Sequence, residues 1–124
     1  MGKSRNDFVV VTTTIDRRAR AEKLARQIIA RRLAACVQYA PIHSVYRWKG
    51  AVESAKEIRL TIKTRASLAK ALIGFIRQVH PYDVPEIVMT PIVDGLKEYL
   101  EWMVAGTKQR SEIRGQKPEI GKRH

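Results

Sequence analysis

The sequence predicts an α+β fold, an antiparallel sheet carrying two helices on one face. Three observations predict it. A β-branched run, FVVVTTT, occupies residues 8–14. Two segments, residues 21–29 and 68–79, repeat apolar residues at helical spacing. Between them lies a long stretch of strand formers with one strong turn signal, Lys49-Gly50.

A run as continuously β-branched as residues 8–14 suits a strand central in a sheet or covered on both faces. Asp16 follows as an N-cap candidate, able to accept from the free amides of the next turn. The stripe Ala21, Leu24, Ala25, Ile28, Ile29 then reads as a helix. Arg32 falls on that stripe, so the helix is expected to end there. Arg31 and Arg32 would occupy its last turn, where cations suit the helix dipole.

The stretch AACVQYAPIHSVYRWKGAVESAKEIRLTIKT reads as two strands and a turn. Gly50 tolerates positive φ. Ile58, Leu60 and Ile62 alternate with Arg59, Thr61 and Lys63, the pattern of a half-buried strand. Pro41 lacks a backbone donor, which places its strand at an edge or interrupts it. A ribbon this long outgrows its sheet and must find cover, such as another subunit.

Ser67 is a second N-cap candidate, followed by the stripe Leu68, Leu72, Phe75, Ile76, Val79. Pro81 must stop this helix, because the residue before proline is pushed out of the helical region. Residues 87–93 read as the last strand, Asp94-Gly95 as a turn, and Leu96, Tyr99, Leu100, Met103 as a short helix ending near Gly106. The order strand, helix, strand, strand, helix, strand is the split βαβ, ferredoxin-like arrangement. Right-handed crossovers put both main helices on one face. Residues 1–106 form one domain. Residues 107–124, with six Lys/Arg against two Glu, read as a disordered basic tail.

The formal net charge is +12. Nucleic acid is one partner such a surface attracts, and a basic nucleic-acid-associated protein is the alternative reading. It rests on charge alone, since no RRM, KH, zinc-finger or helix-turn-helix signature is present. No apolar run approaches the ~20 residues of a membrane span, and no signal-peptide pattern opens the chain. The expectation is a cytoplasmic protein with no membrane partner. The lone Cys36 sits among small apolar neighbours and is expected to be buried and inert.

RLAACVQ, SVYRWKG, EIRLTIKT and HPYDVPEIVMTPI…YLEWM, in that order, resemble the CutA family of divalent-cation tolerance proteins. The resemblance spans roughly residues 8–105. It implies a ferredoxin-like protomer in a tight homotrimer, similar to PII signalling trimers, with the hairpin around SVYRWKG pairing with neighbours. It implies a role in tolerance of copper and other divalent ions and no defined enzymatic activity. No cofactor is required on this reading, with copper or another divalent cation a weak occupant. In copper-binding members the ligands are a Cys and two successive His. The matching positions here are Thr12, Val79 and His80, so only His80 remains. One imidazole is not a site, and His80 equally suits a cap at the helix end. His43 could contribute only across subunits, and His124 lies in the tail.

Tyr46, Trp48, Glu57, Lys63, Tyr82 and Glu86 lie in or beside the matching motifs. They suit a small polar ligand in an intersubunit cleft. They equally suit cross-strand pairing and subunit packing. Pro81 and Pro85 stiffen the corner that presents His80, Tyr82 and Glu86. Paired carboxylates also permit an enzyme at the clefts, but nothing names a reaction.

Overall fold

The computed structural model describes residues 7–112. Its elements are β1 (Phe8–Ile15), α1 (Arg18–Ala30), β2 (Cys36–Trp48), β3 (Ala51–Arg65), α2 (Ala66–Val79), β4 (Ile87–Pro91) and α3 (Lys97–Gly106). The strands form one antiparallel sheet in the order β2-β3-β1-β4. This is the ferredoxin-like fold the element order predicts. The β-branched run takes the interior of the sheet, between β3 and β4.

Strand periodicity sorts the side chains between two faces. Val9, Val11 and Ile15 of β1 stand opposite Thr64, Ile62 and Ile58 of β3. They pack with Ala21, Leu24, Ala25 and Ile28 of α1 and Leu72, Phe75 and Ile76 of α2, forming the main core. On the other face Phe8 packs with Leu100 and Met103 of α3. The two main helices therefore share a face, and the short third helix closes the opposite one.

Several boundaries differ from the expectation. Asp16 does not cap α1: the N-cap is Arg17, without a side-chain cap bond. The Asp16 carboxylate instead accepts from Arg20 at 3.2 Å, one helical turn on. Arg31 and Arg32 lie beyond the last turn. Arg32 adopts φ 58°, with its amide donating to the Ile29 carbonyl and the Leu33 amide to Ile28. That is a Schellman closure without its usual glycine. Ser67 lies inside α2, whose N-cap is Arg65. Ile29 and Val79, placed on the core stripes by spacing, are exposed at the ends of their helices. β4 stops at Pro91, two residues short of the expected end, and no turn forms at Asp94-Gly95.

The hairpin follows the sequence closely. Trp48 pairs with Ala51 across Lys49 and Gly50, at φ 50° and 82°. Two positive φ values at the centre make a type I′ turn, which matches strand twist. Pro41 does not interrupt β2, which is an edge strand throughout. β3 pairs with β1 only from Ile58 onward. Residues 51–57 pair with β2 alone and project about 23 Å beyond the sheet. Val45 and Val52 on this ribbon are 74% and 64% exposed.

The expected tail does not begin free at residue 107. Thr107 is fully buried, and its hydroxyl donates to the Met103 carbonyl. Arg65 donates to Thr107 and to both oxygens of Glu112, at 2.9 to 3.0 Å. Gln109 donates to the Arg32 carbonyl at 3.1 Å. The segment through Glu112 is thus latched to the domain. The rest of the predicted tail, with His124, lies outside the described residues. Cys36 is half-buried rather than buried.

Candidate groove at the base of the hairpin

Where the ribbon leaves the sheet it meets the corner after α2. Pro81 ends that helix at Val79, and His80 is its C-cap with extended backbone. The corner then lies against the hairpin, from Glu57 at its inner end out towards Trp48 at its tip, and against the C-terminal end of β1. Together they enclose an open groove of about 620 Å³. Tyr46, Trp48, Glu57, Tyr82 and Glu86 all line it, so five of the six residues singled out from the sequence converge.

Lys63 does not. It lies six residues along β3 from Glu57, and its Nζ stands 5.8 Å from the Tyr99 ring centroid, under α3. Strand spacing alone puts it about 20 Å from Glu57 within one protomer. Adjacency of motifs in the sequence hid this separation. Thr14, Ser44, Val45, Asp83 and Val84 line the groove as well, unsuspected from sequence. Asp83 could have been found from its place inside the proline corner.

A chain of hydrogen bonds ties the corner to the sheet. His80 Nε2 lies 2.7 Å from the Thr14 carbonyl. The Tyr82 amide donates to His80 Nδ1 at 3.1 Å. Since Nδ1 accepts, Nε2 carries the proton and donates, which fixes a neutral imidazole. The His80 and Tyr82 rings meet edge to face, 4.7 Å between centroids. The Tyr82 hydroxyl then donates to Glu57 Oε2 at 2.9 Å. Burial first, and the Glu57 bond second, push the Tyr82 phenol well above the ordinary tyrosine range.

Metal ligation has little to work with at this corner. Both His80 nitrogens are engaged by the backbone. Thr12 lies mid-strand in β1, opposite Thr61 and Val88. Val79 is apolar. His43 pairs with Lys56, on the other face of the ribbon from Glu57. Among the described residues no group of three or more His, Cys, Asp or Glu could hold a metal ion. Among the same residues no helix is long and apolar enough to cross a membrane.

Comparison with known proteins agrees with the fold. A CutA from Arabidopsis thaliana chloroplasts is 45% identical over 101 residues, covering 81% of this chain and 56% of that protein. The chain thus spans about half the length of that curated relative. The divalent-cation tolerance protein CutA of Yersinia pestis (strain Pestoides F) is 39% identical, covering 82% of this chain and 87% of that protein. The crystal structure of CutA1 from Oryza sativa superposes with a TM-score of 0.81 at 41% identity, covering 86% of this chain and 99% of that one. The family model for CutA1 divalent ion tolerance proteins matches residues 9–106, and the chain belongs to that family.

Proposed function

We propose that the chain is a homotrimeric, non-enzymatic protein of divalent-cation tolerance, assembled in a PII-like manner, with a small-ligand groove at the base of each hairpin. One observation carries the reading: the ribbon projects beyond its own sheet with Val45, Tyr46, Trp48 and Val52 exposed. An isolated two-stranded ribbon is marginal in water, and a contiguous exposed apolar surface marks an interaction site. A second copy of the chain offers the same surface and the same need. The name of the Yersinia relative supports the cation-tolerance role. The free Cys36 suits a reducing, cytoplasmic setting. The family model and the Yersinia relative are named for tolerance rather than for a reaction, which supports the non-enzymatic reading.

Copper, on this reading, binds His80 weakly, because a ligand must first displace the Thr14 or Tyr82 backbone. Submicromolar Cu(II) affinity by calorimetry, lost in His80→Ala, would overturn that part. Sedimentation equilibrium tests the assembly. A trimer at micromolar concentration is expected, reduced to monomer by Val45→Glu with Val52→Glu. A stable folded monomer of the unaltered chain refutes it. The nucleic-acid alternative predicts tight, salt-sensitive DNA or RNA binding that survives removal of residues 113–124.

A further inference from the structure

Resting on the groove reading above, we infer that the groove takes an organic ammonium ion, its ammonium group at the buried carboxylate of Glu57 and its carbon frame running along the groove past Tyr46 towards Trp48. The charge pattern is the first ground. The chain carries a net +12, yet no basic residue lines the groove, while Glu57, Asp83 and Glu86 all do. The local field opposes the global one. A ligand selected here is positive.

Glu57 is the second ground. It is only 8% exposed, and among the described residues its side chain accepts one hydrogen bond, from the neutral Tyr82 hydroxyl. Among the described residues no Lys, Arg or His pairs with it. Arg59, two residues along the same strand face, forms no ion pair with it. A carboxylate removed from water without a counter-charge is costly, and the geometry leaves the counter-charge to come from the groove.

The third ground separates an organic cation from a bare metal ion. Ca²⁺ and Mg²⁺ need six or more converging oxygens at short range, and no cluster of potential ligands assembles among the described residues. The walls are instead aromatic. Indole and phenol faces attract ammonium groups desolvated from bulk water. A volume of about 620 Å³ admits an amine with its carbon frame.

The test titrates the full chain at neutral pH with benzylammonium chloride, benzyl alcohol and sodium benzoate, three probes alike in size and different in charge. Tryptophan fluorescence and calorimetry read binding, and sedimentation of the same samples reads assembly. Benzylammonium should saturate with a Kd of about a millimolar or tighter, roughly tenfold better than benzyl alcohol. Glu57→Gln should weaken it roughly tenfold. Should Glu57→Gln not fold, the exposed Glu86→Gln should still weaken binding by about twofold to threefold. Equal affinity for benzyl alcohol, preference for benzoate, or unchanged affinity in both variants overturns the inference. So does an absence of saturable binding, the result expected if a Lys or Arg of a second copy fills the groove. A trimer that fails to bind the amine sinks this inference and leaves the assembly standing. A monomer that binds it does the reverse, because one protomer builds the groove.

Discussion

Replacing Tyr82 by Phe isolates the hydrogen bond that joins the proline corner to the hairpin. The substitution keeps the ring that meets His80 at 4.7 Å and the backbone amide that holds His80 Nδ1. It deletes only the hydroxyl, 2.9 Å from Glu57 Oε2. Hydrogen bonds to charged groups contribute about 1.5–3 kcal/mol. The groove is open, so water replaces part of what is lost, and the expected cost is about 1.5 kcal/mol. For a domain near 100 residues that is a fall in Tm of about 6 °C at fixed protein concentration. The double-mutant cycle with Glu57→Gln should return a coupling of about 1 kcal/mol. The pH dependence has a definite sign. The folded Tyr82 phenol titrates above its unfolded value near 10. Its contribution is whole below about pH 10 and is lost as pH rises toward the higher folded value. The stability gap between the unaltered chain and Tyr82→Phe should therefore narrow above pH 10. A coupling near zero, or a gap that widens in alkali, refutes the assignment of that bond.

Thr13 faces the helices in the row with Val11 and Ile15, and among the described residues its buried hydroxyl has no hydrogen-bond partner. Thr13→Val should stabilise the fold by about 1 kcal/mol in urea unfolding, and a loss of stability would reveal an unseen acceptor. Gly50→Ala meets no neighbouring atom but keeps φ at 82°. It should cost about 1 kcal/mol through backbone strain alone, read by the same unfolding assay. The Arg65 hydrogen bonds hold the Glu112 carboxyl down at about 2. The latch is present above the ordinary carboxylate range and lost as pH falls through about 2. Glu112→Gln should speed hydrogen exchange of the amides around residues 107–112 at neutral pH, with the sheet unchanged.

Element type was legible because spacing carries it. The period of two in Ile58, Leu60 and Ile62 and the helical stripe through Leu72, Phe75 and Ile76 each point to one face. Boundaries were less legible because caps compete. Asp16 bonds Arg20 across one turn rather than the backbone amides, a choice between two local acceptor roles that composition does not decide. The contacts of residues 107–112 were hidden for a different reason. Arg65 reaches forward across 47 positions to Glu112, and polar composition alone reads such a segment as free. At the site, Tyr82 and Glu86 could be placed from the prolines around them. Lys63 could not, since its distance from Glu57 depends on strand length rather than on motif.

The groove and the exposed ribbon share a single cause. β3 has 15 residues while β1, its partner inside the sheet, has 8. Up to Ile15 the two strands cover each other, and beyond it β3 has β2 alone. Glu57 is the first residue of β3 past that point. It keeps a polar partner only because the corner after α2 folds back and offers the Tyr82 hydroxyl. A hairpin shortened by two residue pairs at its tip would lose Trp48 and the outermost apolar surface but keep Glu57 and Tyr82. Such a chain should assemble less tightly while its Glu57–Tyr82 coupling persists, which separates what the ribbon does for assembly from what its base does for the groove.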